Sequence, residues 1–170
     1  MTPADRAPAG SPEPGRPDAV ARVRAALAAA GVEVRIVEFA ESTRTAHDAA
    51  RALGTSTGQI VKSLVFLADG RPVLVLASGA NRVDTAKVAR LAGAARVEKA
   101  SADASRDATG FSIGGVPPVG HRSPLPVFVD RALLTYDIVY AAAGTPHAVF
   151  PIEPPALVRV TSGTVGDIAE

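Results

Sequence analysis

One lysine interrupts the most apolar segment of the chain. Lys62 lies within residues 60–66, and at the two-residue period of a β-strand it shares a face with Ile60, Leu64 and Phe66. Because the opposite face is also apolar, the strand is predicted to be central and largely buried. A buried ammonium is costly unless it reaches an anion or open water. Lys62 is therefore a candidate ligand for an anion, and an amine that snorkels into solvent is the alternative.

A loop dense in glycine and proline over residues 110–121 is the second candidate. Glycine lets a backbone approach a ligand closely, and proline holds a turn rigid. Amide groups in a rigid loop suit anions, including the oxyanion of a tetrahedral intermediate. The glycine spacing is neither that of a Walker loop nor that of the dinucleotide fingerprint, so an ordinary stiff connection stays open as the alternative. The residues selected as candidate ligand contacts are Gly114, Gly115, Val116, Pro117 and Pro118.

Small residues over 141–144, ending at Gly144, leave space for a pocket, and polar groups follow at Thr145 and His147. His147 is a candidate general base or hydrogen-bond donor, and a capped turn with a surface histidine is the alternative. Asn81 and Arg82 are candidate contacts with a ligand, although a turn after a strand explains them equally well.

Composition excludes several kinds of chemistry. The chain has no cysteine, which excludes disulfides, thiolate catalysis and zinc–thiolate sites. The three histidines show no metal-ligand spacing, so no metal and no other cofactor is predicted. A formal net charge of +1 predicts only local contact with RNA, with Arg44, Arg51 and Arg82 as candidate phosphate contacts. No apolar run could span a bilayer and no signal segment is recognised, which predicts a cytoplasmic protein with no membrane partner.

The elements that position these residues follow from local patterns. Residues 1–17 are rich in proline, alanine and glycine and are predicted to form a disordered tail before a folded domain over residues 18–170. Caps at Asp18, Thr45, Asp84 and Ser101, together with apolar spacing, predict helices over residues 18–30, 45–53, 84–91, 101–109 and 154–158, and Asp130 is interpreted as a further helix cap. Apolar runs predict strands over residues 32–39, 59–67, 72–77, 126–129, 138–142, 147–150 and 165–168. Ala68-Asp69-Gly70-Arg71 is predicted to join the second and third of these strands as a hairpin. Several links between strands are too short for parallel crossovers, which indicates an α+β fold with a mixed or antiparallel, curved sheet.

Several short motifs follow one another along the chain: Thr45-Ala46 with Ala49-Ala50 and Leu53-Gly54, Ile60-Val61-Lys62-Ser63-Leu64, Ser78-Gly79 with Asn81-Arg82-Val83-Asp84, Gly114-Gly115-Val116-Pro117-Pro118-Val119-Gly120, and Ala143-Gly144. Their order and spacing resemble the YbaK/EbsC family over roughly residues 45–168. The resemblance implies a mixed, barrel-like sheet flanked by helices. It also implies a metal-free hydrolase that cleaves the ester between a wrong amino acid and transfer RNA.

The same resemblance assigns roles to the candidate residues. Lys62 matches the family's lysine and would bind the terminal phosphate or orient the aminoacyl ester. The loop over residues 114–120 would hold the ester carbonyl through its amides, with Gly114 and Gly115 in the catalytic part. Residues 144–147 match the second pocket loop of the family, which gives Gly144 and Thr145 a binding role and His147 a catalytic one. Water would be the nucleophile, helped by the ribose hydroxyl of the substrate or by a pocket group.

The function implied is that of a free-standing hydrolase acting in trans on mischarged transfer RNA. The expected substrate is tRNA-Pro carrying a small or medium amino acid, with the acceptor end as the partner and prolyl-tRNA synthetase as a second candidate partner. Family members that remove cysteine carry a Ser-Ala-Gly-Lys-Arg-Gly-like segment where this chain has residues 142–147, which disfavours cysteine. The alternatives are a non-catalytic module that binds transfer RNA or a synthetase, and a hydrolase of another small ester or amide. No oligomeric state is indicated.

Overall fold

The computed structural model describes residues 18–43 and 45–170, so the tail predicted over residues 1–17 and the phosphate contact predicted at Arg44 lie outside the described residues. The α-helices of the described part are α1 (Ala19–Ala29), α2 (Ala46–Leu53), α3 (Thr85–Ala92), α4 (Ala102–Thr109) and α5 (Pro154–Thr161). Its strands are β1 (Val37–Glu38), β2 (Val61–Ala68), β3 (Arg71–Ser78), β4 (Val97–Lys99), β5 (Val127–Asp130), β6 (Val139–Ala142), β7 (Ala148–Ile152) and β8 (Thr164–Gly166). Short 3-10 helices cover Thr57–Gln59 and Arg131–Thr135.

The strands of the described part form two sheets. The larger sheet has five strands in the order β4-β2-β3-β5-β8, and the smaller has three in the order β1-β7-β6. β2 pairs antiparallel with β3 and β4, whereas β5 pairs parallel with β3 and β8. An isolated parallel bridge between Ile60 and Tyr140 connects the two sheets. The predicted α+β class with a mixed sheet is confirmed, and barrel-like curvature stays a prediction.

The hairpin of β2 and β3 carries Lys62 and follows the predicted turn. Asp69 and Gly70 both have positive φ angles, 49° and 82°, as a two-residue type I′ turn requires. The turn fixes a register in which Lys62 lies opposite Ala77. β2 contributes to apolar clusters on both of its faces, with Val61 in the larger cluster and Phe66 in the smaller. The prediction of a central, largely buried strand is therefore confirmed.

Most helices begin where the sequence places their caps. The Thr45 hydroxyl accepts a hydrogen bond from the Asp48 N–H at 3.0 Å, and the Asp84 carboxylate accepts from two N–H groups of α3 at 2.9 and 3.2 Å. Ser101 caps α4 in the same way. Each of these bonds satisfies an N–H that the first helical turn leaves unpaired. Asp18 occupies the cap position of α1, but its side chain makes no capping hydrogen bond.

The strand predictions were wrong in three places. Only Val37–Glu38 of the predicted strand 32–39 pairs with a neighbour, because the apolar alternation over residues 32–36 reflects packing on the core without a ladder. The last strand covers Thr164–Gly166 instead of residues 165–168. The predicted strand extended too far because Ile168 is apolar and buried although it lies outside the ladder. β4 was missed because it is a three-residue strand with two exposed residues, too short to show a period.

The larger core joins the two sheets. Its buried residues come from α1, from β2, β3 and β5 of the larger sheet, and from β6 and β7 of the smaller one. The other face of the larger sheet packs against α3 through a second cluster that includes Val88 and Phe128. Within the described ranges, no helix has the length and apolar character needed to cross a membrane.

Candidate active site

A cavity of about 500 Å³ opens where the two sheets meet. It is bordered by one edge of β2, by the start of α2, by the glycine loop (residues 110–120) and by the second loop (residues 143–147). Small side chains such as Ala46, Ala49 and Ala142 leave the space, and polar groups of Thr43, Thr45 and Ser63 border it. A largely apolar cavity with a few convergent polar groups is typical of a small-ligand site.

The cavity exists because β2 lacks a neighbour along part of one edge. β4 pairs with β2 only at residues 66–68, and β6 meets the strand only through the Ile60–Tyr140 bridge. All of residues 61–65 border the cavity between these two contacts. The main chain of a central strand therefore faces an open space in the middle of the fold.

Lys62 is half-buried at this cavity. Its Nζ donates a hydrogen bond to the main-chain oxygen of Asn81. Burial lowers the pKa of Lys62, the negative charge of Asp130 opposes this effect, and the positive charge of Arg82 adds to it. An ammonium carries three N–H donors, so two remain for an anionic group of a ligand.

Asp130 holds the turn that carries the Asn81 carbonyl. Its side chain is 1% exposed, and its Oδ2 atom accepts hydrogen bonds from the Ser78 N–H at 3.1 Å and from the Asn81 side-chain amide at 2.9 Å. Its Oδ1 atom accepts from the Ala132 N–H at 3.0 Å, which caps the second 3-10 helix. The sequence identified Asp130 only as a cap. Its contacts with the turn after β3 depend on pairing between strands that are distant in sequence.

Replacing Asp130 with alanine should lower the free energy of unfolding by about 3 kcal/mol, because three N–H donors would lose their acceptor in a buried place. Urea denaturation measures the change. Asp167→Ala is the control, since this carboxylate forms its ion pairs with Lys87 and Arg131 at the surface, where such pairs contribute little to stability. Equal stability of the two variants would contradict the structural role assigned to Asp130.

The glycine loop packs directly on the second loop. A Cβ atom at Gly115 would lie 2.6 Å from the Thr145 Cα and 2.8 Å from the Gly144 carbonyl oxygen, so only glycine fits. Gly144, with a φ of 105°, packs in turn against the Ala19 carbonyl of α1. The Gly115 N–H donates to the Ser112 carbonyl inside the loop at 3.1 Å. The loop residues that border the cavity are Ile113, Gly114 and Val116.

The structure brings together only part of the predicted set. Lys62, Gly114, Val116 and Thr145 border the cavity. Gly115, Pro117, Pro118 and Gly144 belong to the two loops but lie outside its lining, and the half-buried Asn81 and the exposed Arg82 also lie outside it.

His147 is exposed and does not border the cavity, while its N–H donates to the Thr145 hydroxyl at 3.2 Å. This bond agrees with the alternative interpretation of the segment, a capped turn with a surface histidine. A catalytic role for His147 stays a prediction.

Several cavity residues were missed from the sequence. Thr43 ties the segment before α2 to the second loop, since its N–H and its hydroxyl both donate to the Pro146 carbonyl. The Ser63 hydroxyl is buried and has no hydrogen-bond partner among the described residues. Its position beside Lys62 in an apolar strand was the available signal. Within residues 18–43 and 45–170, no group of three or more histidine and carboxylate side chains is arranged to hold a metal ion.

Comparisons with known proteins show which sequences this chain is similar to. A family model described as an aminoacyl-tRNA editing domain matches residues 40–160. The chain is 37% identical over 119 residues to a proline–tRNA ligase of Bacillus licheniformis, which covers 68% of this chain and 20% of the ligase. It is 28% identical over 134 residues to "Putative Cys-tRNA(Pro)/Cys-tRNA(Cys) deacylase EbsC" of Enterococcus faecalis, which covers 77% of this chain and 82% of that protein.

Solved structures agree with the fold. A crystal structure of "a putative trans-editing enzyme for prolyl tRNA synthetase" superposes with a TM-score of 0.85 at 46% identity and covers 89% of this chain and 97% of the other. The crystal structure of the hypothetical protein APE2540 gives a TM-score of 0.82 at 34% identity, covering 88% and 99% of the two chains.

Proposed function

The chain belongs to the aminoacyl-tRNA editing domain family, and from this premise we propose that it is a hydrolase that deacylates mischarged aminoacyl-tRNA in trans. The observation that carries the proposal is that Lys62 and the glycine loop, distant in sequence, border one cavity. The expected substrate is tRNA-Pro that carries a small or medium amino acid, bound through its acceptor end. Prolyl-tRNA synthetase is a candidate partner, and such a substrate places the protein in the cytoplasm.

Lys62 anchors the negatively charged end of the substrate. Its ammonium donates a hydrogen bond to the Asn81 carbonyl, which lies outside the cavity lining, so the position of the ammonium is set before the substrate arrives. A fixed cation at a half-buried site interacts more strongly with a phosphate than one in open water. The same charge orients the aminoacyl ester toward the glycine loop.

The hydrolysis needs no nucleophile from the protein. The oxygen of a water molecule attacks the ester carbonyl carbon, and the bond between that carbon and the ribose oxygen breaks. The proton of the water passes to the leaving ribose oxygen, helped by the neighbouring ribose hydroxyl. Amides of the glycine loop at Gly114 and Val116 stabilise the negative charge that develops on the carbonyl oxygen.

The cavity selects the amino acid by fit. Its walls near the start of α2 and at β6 are formed by alanines, with Val149 and Tyr140 beside them. Such a wall excludes large side chains, and it gains only about 1–3 kcal/mol of preference per methylene among those that fit. Thr145 adds a hydroxyl that can favour a hydroxyl-bearing side chain. Alanine, serine, threonine and a short aliphatic analogue are therefore the expected targets, ahead of cysteine.

A rate comparison on one transfer RNA tests this selection. We expect the alanyl, seryl or threonyl ester to be hydrolysed fastest, the cysteinyl ester more slowly, and the prolyl ester slowest of all. The measurement is initial rates of deacylation of tRNA-Pro charged with each amino acid, each corrected for spontaneous hydrolysis. Fastest hydrolysis of the cysteinyl ester would contradict the selection by fit, and rapid hydrolysis of the prolyl ester would contradict the editing role.

The pH dependence of the deacylation rate should reflect the protonation of Lys62. Because burial lowers its pKa, the ammonium loses its proton at a lower pH than an ordinary lysine does. Catalysis that needs the ammonium is complete below this pKa and falls as the pH rises through it. The ratio of catalysed to spontaneous rates should therefore decline on the alkaline side.

Lys62→Arg is the matched variant for the pH profile, since a guanidinium stays charged over this range. Its residual activity should lack the part of the alkaline decline that Lys62 causes, and any remaining decline would come from the α-ammonium group of the substrate. The other charged or titratable groups near Lys62 or at the cavity are Asp130, Arg82, His47 and Lys99. A decline of the same size and position in Lys62→Arg and in the wild type would contradict the assignment of the titration to Lys62.

A further inference from the structure

The open edge of β2 presents main-chain groups to the cavity. Along a strand, the N–H and C=O groups of successive residues point alternately to the two edges. The Ile60 carbonyl accepts from the Gly79 N–H on the side of β3, and the Val65 carbonyl accepts from the Ala100 N–H on the side of β4. By this alternation, Val61, Ser63 and Val65 direct their main-chain groups to the edge that faces β4 and β6, and this edge is already occupied by Ala100 at the Val65 carbonyl.

Ser63 lies at the centre of this open edge. Neither β4 nor β6 pairs with β2 at this residue, so its N–H and C=O have no ladder partner on that side within the described ranges. Its hydroxyl is buried and also lacks a partner among the described residues. Buried polar groups without partners are costly, which favours a site that a ligand completes.

We propose that the edge of β2 at Ser63 binds the aminoacyl group of the substrate as one residue of the missing strand. The Ser63 carbonyl accepts a hydrogen bond from the α-ammonium group, and the Ser63 N–H donates to the carbonyl oxygen of the ester. This inference rests on the proposed function and deepens it, because it identifies the group that recognises an α-amino ester as a class.

The hydrogen-bond donor and acceptor of an aminoacyl ester match the acceptor and donor of the β2 edge at Ser63. An aminoacyl ester carries a donor and an acceptor on either side of a single Cα atom, as does one residue of a strand. In an antiparallel pair, directly opposed residues exchange both N–H···O bonds, which is the arrangement proposed for Ser63 and the substrate. The carbonyl oxygen then receives a second donor from the glycine loop, so two donors face the developing charge.

The main chain of Ser63 and the cavity walls recognise different parts of the substrate. The hydrogen bonds to Ser63 read the amino and carbonyl groups that all α-amino esters share, whereas the cavity walls select the side chain. A free α-ammonium is preferred, since an acylated nitrogen carries no charge and donates only the weaker hydrogen bond of a neutral amide to the Ser63 carbonyl. The site should therefore hydrolyse N-acylated esters, such as those of peptidyl-tRNA, more slowly than free aminoacyl esters.

Removal of the amino group from the substrate tests the inference. Alanyl-tRNA and propionyl-tRNA carry acyl groups of similar size, and the enzymatic rate for each is divided by its own spontaneous rate. We expect this enhancement to be about 10- to 100-fold larger for the alanyl ester, the size of one hydrogen bond from a charged group. Lys62→Ala is the control, since it should lower both enhancements by a similar factor and leave their ratio in place.

Equal enhancement of the alanyl and propionyl esters would overturn the inference and leave the proposed function standing. No enhancement of either ester would overturn both. A binding measurement gives an independent readout with 3′-(L-alanylamino)-3′-deoxyadenosine, whose amide bond resists hydrolysis. The Ser63 N–H resonance of ¹⁵N-labelled protein should move downfield with this analogue and less with its propionylamino counterpart. Shifts at Gly114 without a shift at Ser63 would contradict the proposed pairing.

Discussion

Replacing Lys62 with alanine should lower kcat/KM for deacylation of a mischarged transfer RNA by about 30- to 1,000-fold, which corresponds to roughly 2–4 kcal/mol of lost stabilisation. The physical reason is the loss of a fixed positive charge at a half-buried site. Lys62 is held there by the Asn81 carbonyl, and its charge is supported by the nearby Asp130. Removal of the amine would leave the anionic group of the proposed substrate without this partner at a half-buried site.

Lys87→Ala is the matched control for this variant. Lys87 lies on α3 and pairs with Asp167 at the surface, away from the cavity lining. It should keep wild-type kcat/KM, and circular dichroism should show that both variants are folded. Activity near wild type in Lys62→Ala would contradict the assignment of Lys62 to the site.

Replacing Gly115 with alanine should lower kcat/KM by about 100- to 1,000-fold, the loss that follows removal of an oxyanion donor. The added methyl would lie 2.6 Å from the Thr145 Cα and 2.8 Å from the Gly144 carbonyl oxygen. Both neighbours are main-chain atoms, so the two loops must move apart. The amides of Gly114 and Val116 would then leave the positions from which we propose that they bind the ester carbonyl.

Gly163→Ala is the steric control. Its methyl would lie 2.6 Å from a Val129 side-chain carbon, beside the β5–β8 pair and outside the cavity lining. This variant should lose stability and retain the kcat/KM of its folded fraction, whereas Gly115→Ala should lose kcat/KM. The same kcat/KM in both variants would contradict the role given to the contact between the loops.

Elements with local signals could be predicted from the sequence. The Asp69-Gly70 turn requires positive φ angles that few residues tolerate, and it placed the central hairpin. Thr45 and Asp84 have side chains that satisfy the first N–H groups of a helix, and they placed α2 and α3. Lys62 was recognisable because a charge among apolar strand residues is costly.

Features set by long-range pairing could not be predicted. The cavity depends on where β4 stops beside β2 and where β6 begins, and no short stretch of sequence encodes either point. Asp130 reaches the turn after β3 only because β3 and β5 are neighbours in the sheet. Ser63 is a polar residue beside Lys62 in an apolar strand, but its place on the open edge of β2 depends on long-range strand pairing. The functional roles of Lys62, the glycine loop and His147 remain predictions.

Multiple-turnover deacylation of alanyl-tRNA-Pro tests the central claim most directly. The purified wild-type protein is mixed with a large molar excess of this substrate, and free alanine is followed over time beside a matched reaction with prolyl-tRNA-Pro. We expect the release of many equivalents of alanine for each protein molecule while the prolyl ester persists. Binding of the alanyl-tRNA without release beyond the spontaneous rate would contradict it, because this is the behaviour of a non-catalytic binding module.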